Sequence, residues 1–316
     1  MDLSQEQLQY LTVGNILKET TRIPTKSPKT FFLVTLTLIL PLSLAMLGNS
    51  IFTFPLFLLI DISHPIKFLF IYELYHIILI VLAILSTSAV VFISASIYTS
   101  KPVSFLSTMS AIPNLFSRLF KTFLCISLLL SVYNLLILLV VNLVTIPESD
   151  NIFISVLLIL GMVAIAFAFF HVQVYITALC FMASAVSVLE PVNGFSAFKK
   201  SYQLLKGKTT MVFFLMYSYV LISGIVKWAS GIMVFGGEED IVLSLVFRIA
   251  YGGFMVGLLV VWNLCGLVTI SLFYYVCKSY HCETIDKTAL FDHLGGYLGE
   301  YVPLMSDSSA IQMEVV

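Results

Sequence analysis

The sequence predicts an all-α integral membrane protein with six transmembrane helices arranged as three hairpins. Three observations predict this fold class. Six apolar runs, each longer than the roughly 20 residues that cross a bilayer as a helix, cover most of the 316-residue chain. Apolar residues make up 59% of the sequence and charged residues only 10%, whereas soluble proteins carry about a quarter charged residues. Thirteen of the 16 lysines and arginines lie on one side of the six runs.

The apolar runs define the predicted spans and domains. They cover residues 31–52, 67–98, 123–145, 152–189, 211–235 and 241–277. The chain therefore divides into an amino-terminal segment 1–30, a transmembrane domain 31–277 and an acidic tail 278–316. The second, fourth and sixth runs are longer than a span needs, so we expect their ends to project beyond the membrane.

The distribution of positive charge predicts the orientation, because loops rich in lysine and arginine stay in the cytosol. Lys67 is the one basic residue on the far side of the runs, and Lys227 and Arg248 lie inside spans. Both termini are therefore expected in the cytosol, in an endomembrane such as the endoplasmic reticulum or in the plasma membrane. A net charge of −1 leaves no strongly basic domain, which argues against a nucleic-acid partner.

An amphipathic segment precedes each odd-numbered span. In the first, Ser4 and Gln7 match a capping box, and the apolar face ends at Pro24. The second runs over residues 105–120 with a predicted break at Pro113. Helices of this kind lie in the membrane interface with their apolar side down, so we expect three cytosolic interfacial helices.

The third amphipathic segment carries the predicted lipid contacts. Its apolar stripe consists of Phe195, Phe198, Tyr202 and Leu205. The lysines that we expect to bind anionic lipid headgroups are Lys199, Lys200, Lys206 and Lys208.

Short similar sequences open the three odd-numbered spans and indicate an internal repeat. They read Lys29-Thr30-Phe31, Lys121-Thr122-Phe123 and Lys208-Thr209-Thr210-Met211, with the first threonines 92 and 87 residues apart. We infer three parallel repeats, each an interfacial helix followed by a helical hairpin. In the tail, leucines at 290, 294 and 298 recur at helical spacing and predict one further short helix.

Four ionisable residues inside the spans are expected towards the outer face: Glu73, His76, Lys227 and Arg248. Ionisable groups in a membrane are costly and often functional, so one interpretation is a cavity in which Glu73 neutralises a basic partner. The other is that the long basic side chains reach the outer interface unaided. His171, midway along the fourth span, either relays protons or, as we favour, bonds to a neighbouring helix. Asn263 is interpreted as an interhelical hydrogen-bonding residue.

Motifs for catalysis and for cofactors are missing from the sequence. Glu73-x-x-His76 is half of a carboxylate di-iron pattern, which needs two copies, and His281-Cys282 lacks the spacing of a zinc site. The sequence therefore predicts neither a catalytic activity nor a metal or other cofactor.

The beginning and end of the chain resemble a plant family of six-span membrane proteins. The resemblance rests on residues 15–19, on Ser27-Pro28-Lys29-Thr30-Phe31, and on His293-Leu294-Gly295-Gly296-Tyr297 with its continuation to Leu304. It implies a plant membrane location and no particular activity. A second, local resemblance connects Gly194, Ala197, Ser201, Leu204 and Lys206-Gly207 to the membrane domain of bacterial glycerophosphodiester phosphodiesterases, and it implies a shared fold without the catalytic barrel.

Three functional classes remain open. The first is a membrane scaffold or interaction protein whose amphipathic helices face lipid, with the bilayer, anionic lipids and other membrane proteins, or further copies of itself, as partners. The alternative is a transporter or channel for a small or lipid-like solute, suggested by the ionisable residues inside the spans. The third class is an intramembrane lipid enzyme, for which Glu73 and His76 would be the catalytic candidates. We place it last, because no second catalytic motif accompanies these two residues.

Overall fold

The computed structural model describes residues 9–48, 65–143, 152–235 and 241–283, with Leu290, residues 294–296 and Leu298. These residues form helices and short connections without a strand. The helices are α1 (Val13–Lys26), α2 (Pro28–Gly48), α3 (Pro65–Tyr98), α4 (Phe105–Leu143), α5 (Ile152–Leu189), α6 (Phe195–Leu205), α7 (Thr209–Phe235) and α8 (Ile241–Tyr280). All but α1 and α6 are long and apolar enough to cross a membrane, which confirms the six predicted membrane-length helices.

Helix α2 contains a π-helical turn over Thr35–Ile39. In this turn the backbone N–H of Leu40 donates to the carbonyl of Thr35. Pro41 follows immediately, has no N–H to donate, and would clash with the carbonyl four residues before it in a regular helix. The wider turn removes this conflict, so the helix continues to Gly48.

Helices α3, α5 and α8 form the centre of the bundle, where each contacts the other two. Around them, α2 packs on α8 and α3, α4 packs on α3 and α5, and α7 packs on α5 and α8. Each outer helix thus lies between its own successor in the chain and one other central helix. This cyclic order follows the three predicted repeats.

Small residues let the central helices approach closely, as in other membrane bundles. Many of the buried residues in the carboxyl-terminal halves of α3, α5 and α8 are small: Ser86, Ser88, Ala89, Ala95, Ala183, Ser184, Ala185, Ser187 and Ser271. Larger side chains pack among them, and the rings of Tyr98 and Tyr275 stack with centroids 4.4 Å apart. The carboxyl-terminal halves of these three helices therefore contribute a large part of the core.

Helices α1 and α6 lie at the same end of the bundle, where α3, α5 and α8 end. The buried Thr20 hydroxyl of α1 lies 3.1 Å from the Thr269 hydroxyl of α8. The imidazole of His281, just past α8, lies 3.1 Å from the Leu204 carbonyl of α6. We call this the basic end, because most of the basic residues of the described chain lie there. The carboxyl-terminal ends of α3, α5 and α8 meet α1 and α6 here, and whether these ends project beyond the membrane stays a prediction.

One prediction about the amphipathic segments is wrong. Residues 105–120 do not form a separate helix, because α4 runs from Phe105 to Leu143 through Pro113. In α6, Ala197, Ser201, Leu204 and Leu205 are buried, whereas Phe195 and Tyr202 of the predicted apolar stripe are exposed at the surface of the described chain. That this stripe faces the membrane interface stays a prediction.

The first eight residues, with the predicted capping box, lie outside the described residues. Helix α1 begins instead after Thr12, whose hydroxyl accepts a hydrogen bond from the Asn15 N–H at 3.4 Å. In the tail, Leu294 is fully buried in the core, and Leu290 and Leu298 pack against the same cluster. The three predicted tail leucines therefore face the bundle, although most of the residues between them are not described.

Candidate functional site

A cavity of about 300 Å³ lies inside the bundle, and all six membrane-length helices contribute to its wall. Most of the wall is apolar, with Leu42 of α2, Ile80 of α3, Ile126 and Leu130 of α4, and Leu267 of α8. Its size falls near the lower limit of small-molecule sites, roughly 300–1,000 Å³. The cavity is therefore large enough for a small solute or a single hydrocarbon chain.

One group of polar residues in the wall is satisfied by contacts between helices. The amide oxygen of Asn263 accepts from the Tyr219 hydroxyl at 2.9 Å, and its nitrogen donates to the Ser43 hydroxyl at 2.9 Å. The indole of Trp262 donates to the Tyr219 carbonyl at 3.2 Å. Asn263 thus connects α2, α7 and α8, in agreement with its interpretation as an interhelical residue.

Tyr219 can pack so closely on α8 because the facing residue there is Gly266. A Cβ at Gly266 would lie 2.7 Å from Cε2 of the Tyr219 ring. The glycine therefore sets how far this part of the wall reaches into the cavity.

Lys227 and Gln173 are among the polar residues of the cavity wall that lack such contacts within the described chain. The ammonium of Lys227 on α7 lines the cavity and makes neither a hydrogen bond nor an ion pair with a described residue. The side-chain carbonyl of Gln173 on α5 is buried, also lines the cavity, and has no hydrogen-bond partner there. Unpaired polar groups in an apolar setting are costly unless something satisfies them, which makes these two the natural ligand-binding groups.

The other predicted intramembrane residues do not join this site within the described chain. Helix α3 includes Glu73 and His76, but their side chains lie outside the described residues, so the predicted pairing with Lys227 or Arg248 stays a prediction. Arg248 is half-buried on α8 and does not line the cavity. Among the described side chains of this predicted cluster, Lys227 alone lines the cavity.

His171 lies on the outside of the bundle, away from the cavity. Its Nδ1 is 2.5 Å from the Tyr217 hydroxyl of α7, and its ring stacks on Phe213 with centroids 4.7 Å apart. The side chain is otherwise exposed. This arrangement agrees with the favoured interpretation of His171 as a residue bonded to a neighbouring helix.

The structure contains a charged cluster at the basic end that was not predicted from the sequence. The carboxylate of Glu190 accepts from the Tyr274 hydroxyl at 2.6 Å and from the Lys278 ammonium at 3.0 Å. The guanidinium of Arg118 donates to the backbone carbonyl of Glu190. The cluster joins the end of α5 to α4 and α8. A signal was available, since Glu190 is the one acidic residue between Asp150 and Glu238 and directly follows a span among basic residues.

Two glycines fix the ends of α6. Gly194 has φ +59 and its N–H donates to the buried Thr122 hydroxyl at 2.9 Å, while that hydroxyl lies 2.7 Å from the hydroxyl of Ser187. Gly207 has φ +87 and packs under the ring of Tyr280. Both backbone conformations favour glycine. The contacts hold α6 at the junction of α4, α5 and α8.

The four lysines predicted to contact lipid have different surroundings. Lys199 and Lys206 are exposed, and the ammonium of Lys206 lies 4.9 Å from the centre of the Tyr202 ring. Lys200 forms an ion pair with Glu283. Lys208 donates to the Gln9 carbonyl at 3.1 Å and lies 5.0 Å from the centre of the Tyr280 ring. Lys199 and Lys206 therefore remain the residues of this set best placed for lipid headgroups.

The chain belongs to the family described as Domain of unknown function (DUF8558), which matches residues 1–66 and 58–316 and so covers the whole sequence. No curated protein and no solved structure matches the chain.

Proposed function

We propose that this integral membrane protein binds a lipid-like solute in the cavity between its six membrane-length helices and carries it within or across the bilayer. The supporting observation is the cavity itself, with an apolar wall and with Lys227 and Gln173 as its unsatisfied polar groups. Ligand sites in proteins share this combination of an apolar wall and a few convergent polar groups. The proposal gives the cavity a binding role and no catalytic one.

Filling the cavity tests this proposal. Ser127 lines the cavity on α4, so Ser127→Phe places a ring in the space that the solute would occupy. We expect the purified variant to lose most of the lipid that co-purifies with the wild-type protein, measured by mass spectrometry of extracted lipid. Its melting temperature in detergent should change little, because the ring enters an existing space.

The matched control is Leu128→Phe, because Leu128 is the next residue on α4 and is 69% exposed on the outside of the bundle. This control should retain its bound lipid. Equal lipid content in the wild-type protein, Ser127→Phe and Leu128→Phe would contradict the proposal.

A second candidate function is that of a scaffold at the cytosolic membrane surface, with anionic lipids and other membrane proteins as partners. The specific observation is that α6 exposes Phe195 (79%) and Tyr202 (48%) beside Lys199 and Lys206. Exposed aromatic rings next to lysines are typical of helices that lie in the interface. This proposal places the basic end in the cytosol, because thirteen lysines and arginines lie on that side of the six apolar runs. The placement can be tested with a tag at either terminus, which a protease added from the cytosolic side should remove.

The depth of α6 in the membrane can be measured by fluorescence. In a background with Trp228 and Trp262 replaced by phenylalanine, we expect Phe195→Trp to be quenched by brominated lipid in nanodiscs. Gln203→Trp, at another exposed position of the same helix, serves as the control and should be quenched much less. Equal quenching at both positions would exclude an interfacial orientation of α6.

We also propose that the chain is related to a plant family of six-span proteins and to the membrane domain of bacterial glycerophosphodiester phosphodiesterases. We propose further that it consists of three parallel repeats. The cyclic packing of α2, α4 and α7 around the central helices supports this repeat. Thr30 and Thr122 of the repeated sequence are both buried, while Thr209 and Thr210 are exposed, so the third copy differs from the other two.

A further inference from the structure

We infer that the solute of the cavity is a single-chain anionic amphiphile, whose acidic group binds the Lys227 ammonium and whose hydrocarbon chain lies along the apolar wall. This inference rests on the proposed binding function and adds the chemical class of the ligand. It is drawn from the position of Lys227, from the unsatisfied carbonyl of Gln173 and from the size of the cavity.

Lys227 supplies the charge that selects the ligand. On α7, the neighbouring Trp228 is 64% exposed on the outside of the bundle, whereas Lys227 lines the cavity. A lysine on the lipid-facing side would extend towards the interface, but this one lines a cavity whose wall is mostly apolar. A cation there is costly without a counter-charge, and the described residues offer it no carboxylate partner. An anionic ligand would supply that counter-charge.

Gln173 adds a requirement for a hydrogen-bond donor. Its side-chain carbonyl is buried without a partner among the described residues, while the nearby Thr177 hydroxyl already donates to the Gln173 backbone carbonyl at 2.8 Å. Tyr219 and Asn263 are occupied by each other. A headgroup with an anionic oxygen for Lys227 and a hydroxyl for Gln173 would satisfy both wall groups, as a lysophosphatidic acid or a hydroxylated fatty acid does.

The size and composition of the cavity limit the remainder of the ligand. At about 300 Å³ it lies at the lower limit of the usual range, roughly 300–1,000 Å³, which favours one acyl chain over the two of a phospholipid. Leu42, Ile80, Ile126 and Leu130 provide an apolar surface from three different helices of the cavity wall. Burying hydrocarbon against them contributes roughly 0.8 kcal/mol per methylene.

The test measures saturable binding of three probes to the full-length protein in detergent by native mass spectrometry. The probes are oleic acid, oleoyl lysophosphatidic acid and oleyl alcohol, which share a chain length and differ in the headgroup. We expect one molecule of either acid to bind to each protein molecule. The alcohol should bind with an affinity roughly tenfold lower or lower still. Preference for one acid over the other identifies the headgroup as either a carboxylate alone or a phosphate with an adjacent hydroxyl, and either preference supports the inference.

Three variants identify the residues responsible. Lys227→Met should lower the affinity for both acids to that for the alcohol. Lys227→Arg, which keeps the positive charge, should retain most of the wild-type affinity for the acids. Lys18→Met, which removes an exposed lysine of α1, is the matched control and should bind like the wild type. Because Lys227→Met removes a half-buried charge that has no ion-pair partner among the described residues, its melting temperature should not fall, which separates lost binding from lost folding.

The outcomes distinguish this inference from the function on which it rests. Equal affinity for the acids and the alcohol, or unchanged acid binding by Lys227→Met, would overturn the anionic ligand and leave a lipid-binding cavity. No saturable binding of any probe, with no lipid retained on purification, would overturn both.

Discussion

Replacing Gly207 by alanine is expected to destabilise the protein by about 2–5 kcal/mol, because two independent penalties act at the same residue. The backbone at Gly207 has φ +87, a left-handed conformation that costs a residue with a Cβ roughly 1–2 kcal/mol. A Cβ there would also lie 2.8 Å from the hydroxyl and 2.9 Å from Cζ of Tyr280, and overpacking of this kind costs typically about 1–3 kcal/mol. The measurement is the melting temperature of the purified variant in detergent.

Gly14 provides the control, since it lies in α1 at the same end of the bundle and a Cβ there would meet no atom within 4 Å. Gly14→Ala should be neutral or slightly stabilising, because alanine favours a helix over glycine by up to about 1 kcal/mol. Adding Tyr280→Ala to Gly207→Ala should recover the steric part of the loss and leave the conformational part. If Gly207→Ala melts like the wild type, the connection between α6 and α7 does not fix the position of α6.

Hydrophobicity and charge predict the spans well because a membrane leaves a helical segment few alternatives. The predicted run 152–189 coincides with α5, and 241–277 differs from α8 by only three residues at one end. The face through which α6 packs on the protein could not be predicted in the same way. Its apolar stripe predicts a surface that faces the membrane interface, whereas the burial of Ala197 and Ser201 depends on where the neighbouring helices lie.

The candidate site was predictable only in part. An intramembrane lysine is conspicuous in a sequence, so Lys227 was identified, but a cavity depends on the packing of helices that are distant in sequence. Gln173 gained its importance only when the structure showed its carbonyl buried and without a partner in the described chain. The role of Glu190 could not be predicted, because its partners Tyr274 and Lys278 lie 84 and 88 residues away in the sequence. Only the packing of α5 against α8 brings these residues together.

Replacing Glu190 by glutamine is the second change with a large expected effect, about 2–4 kcal/mol of destabilisation. Removing one partner of a buried ion pair costs roughly 3–5 kcal/mol, since the other charge stays buried without compensation. The side chains of Glu190 and Lys278 are 14% and 19% exposed, so water reduces that cost somewhat. Tyr274 can still donate to the glutamine carbonyl, so the loss falls mainly on Lys278. The measurement is again the melting temperature in detergent.

The pair of Glu19 and Arg22 is the control: Glu19 is 16% exposed, much like Glu190, but the Arg22 side chain is 65% exposed, so water solvates the guanidinium when the carboxylate is lost. Glu19→Gln should cost at most about 1 kcal/mol, as surface ion pairs do. Combining Glu190→Gln with Lys278→Met should destabilise less than Glu190→Gln alone, since no uncompensated charge then remains. That ordering separates an electrostatic role from simple packing: if the double variant is the less stable of the two, Glu190 positions the ends of α5 and α8 by its shape and not by its charge.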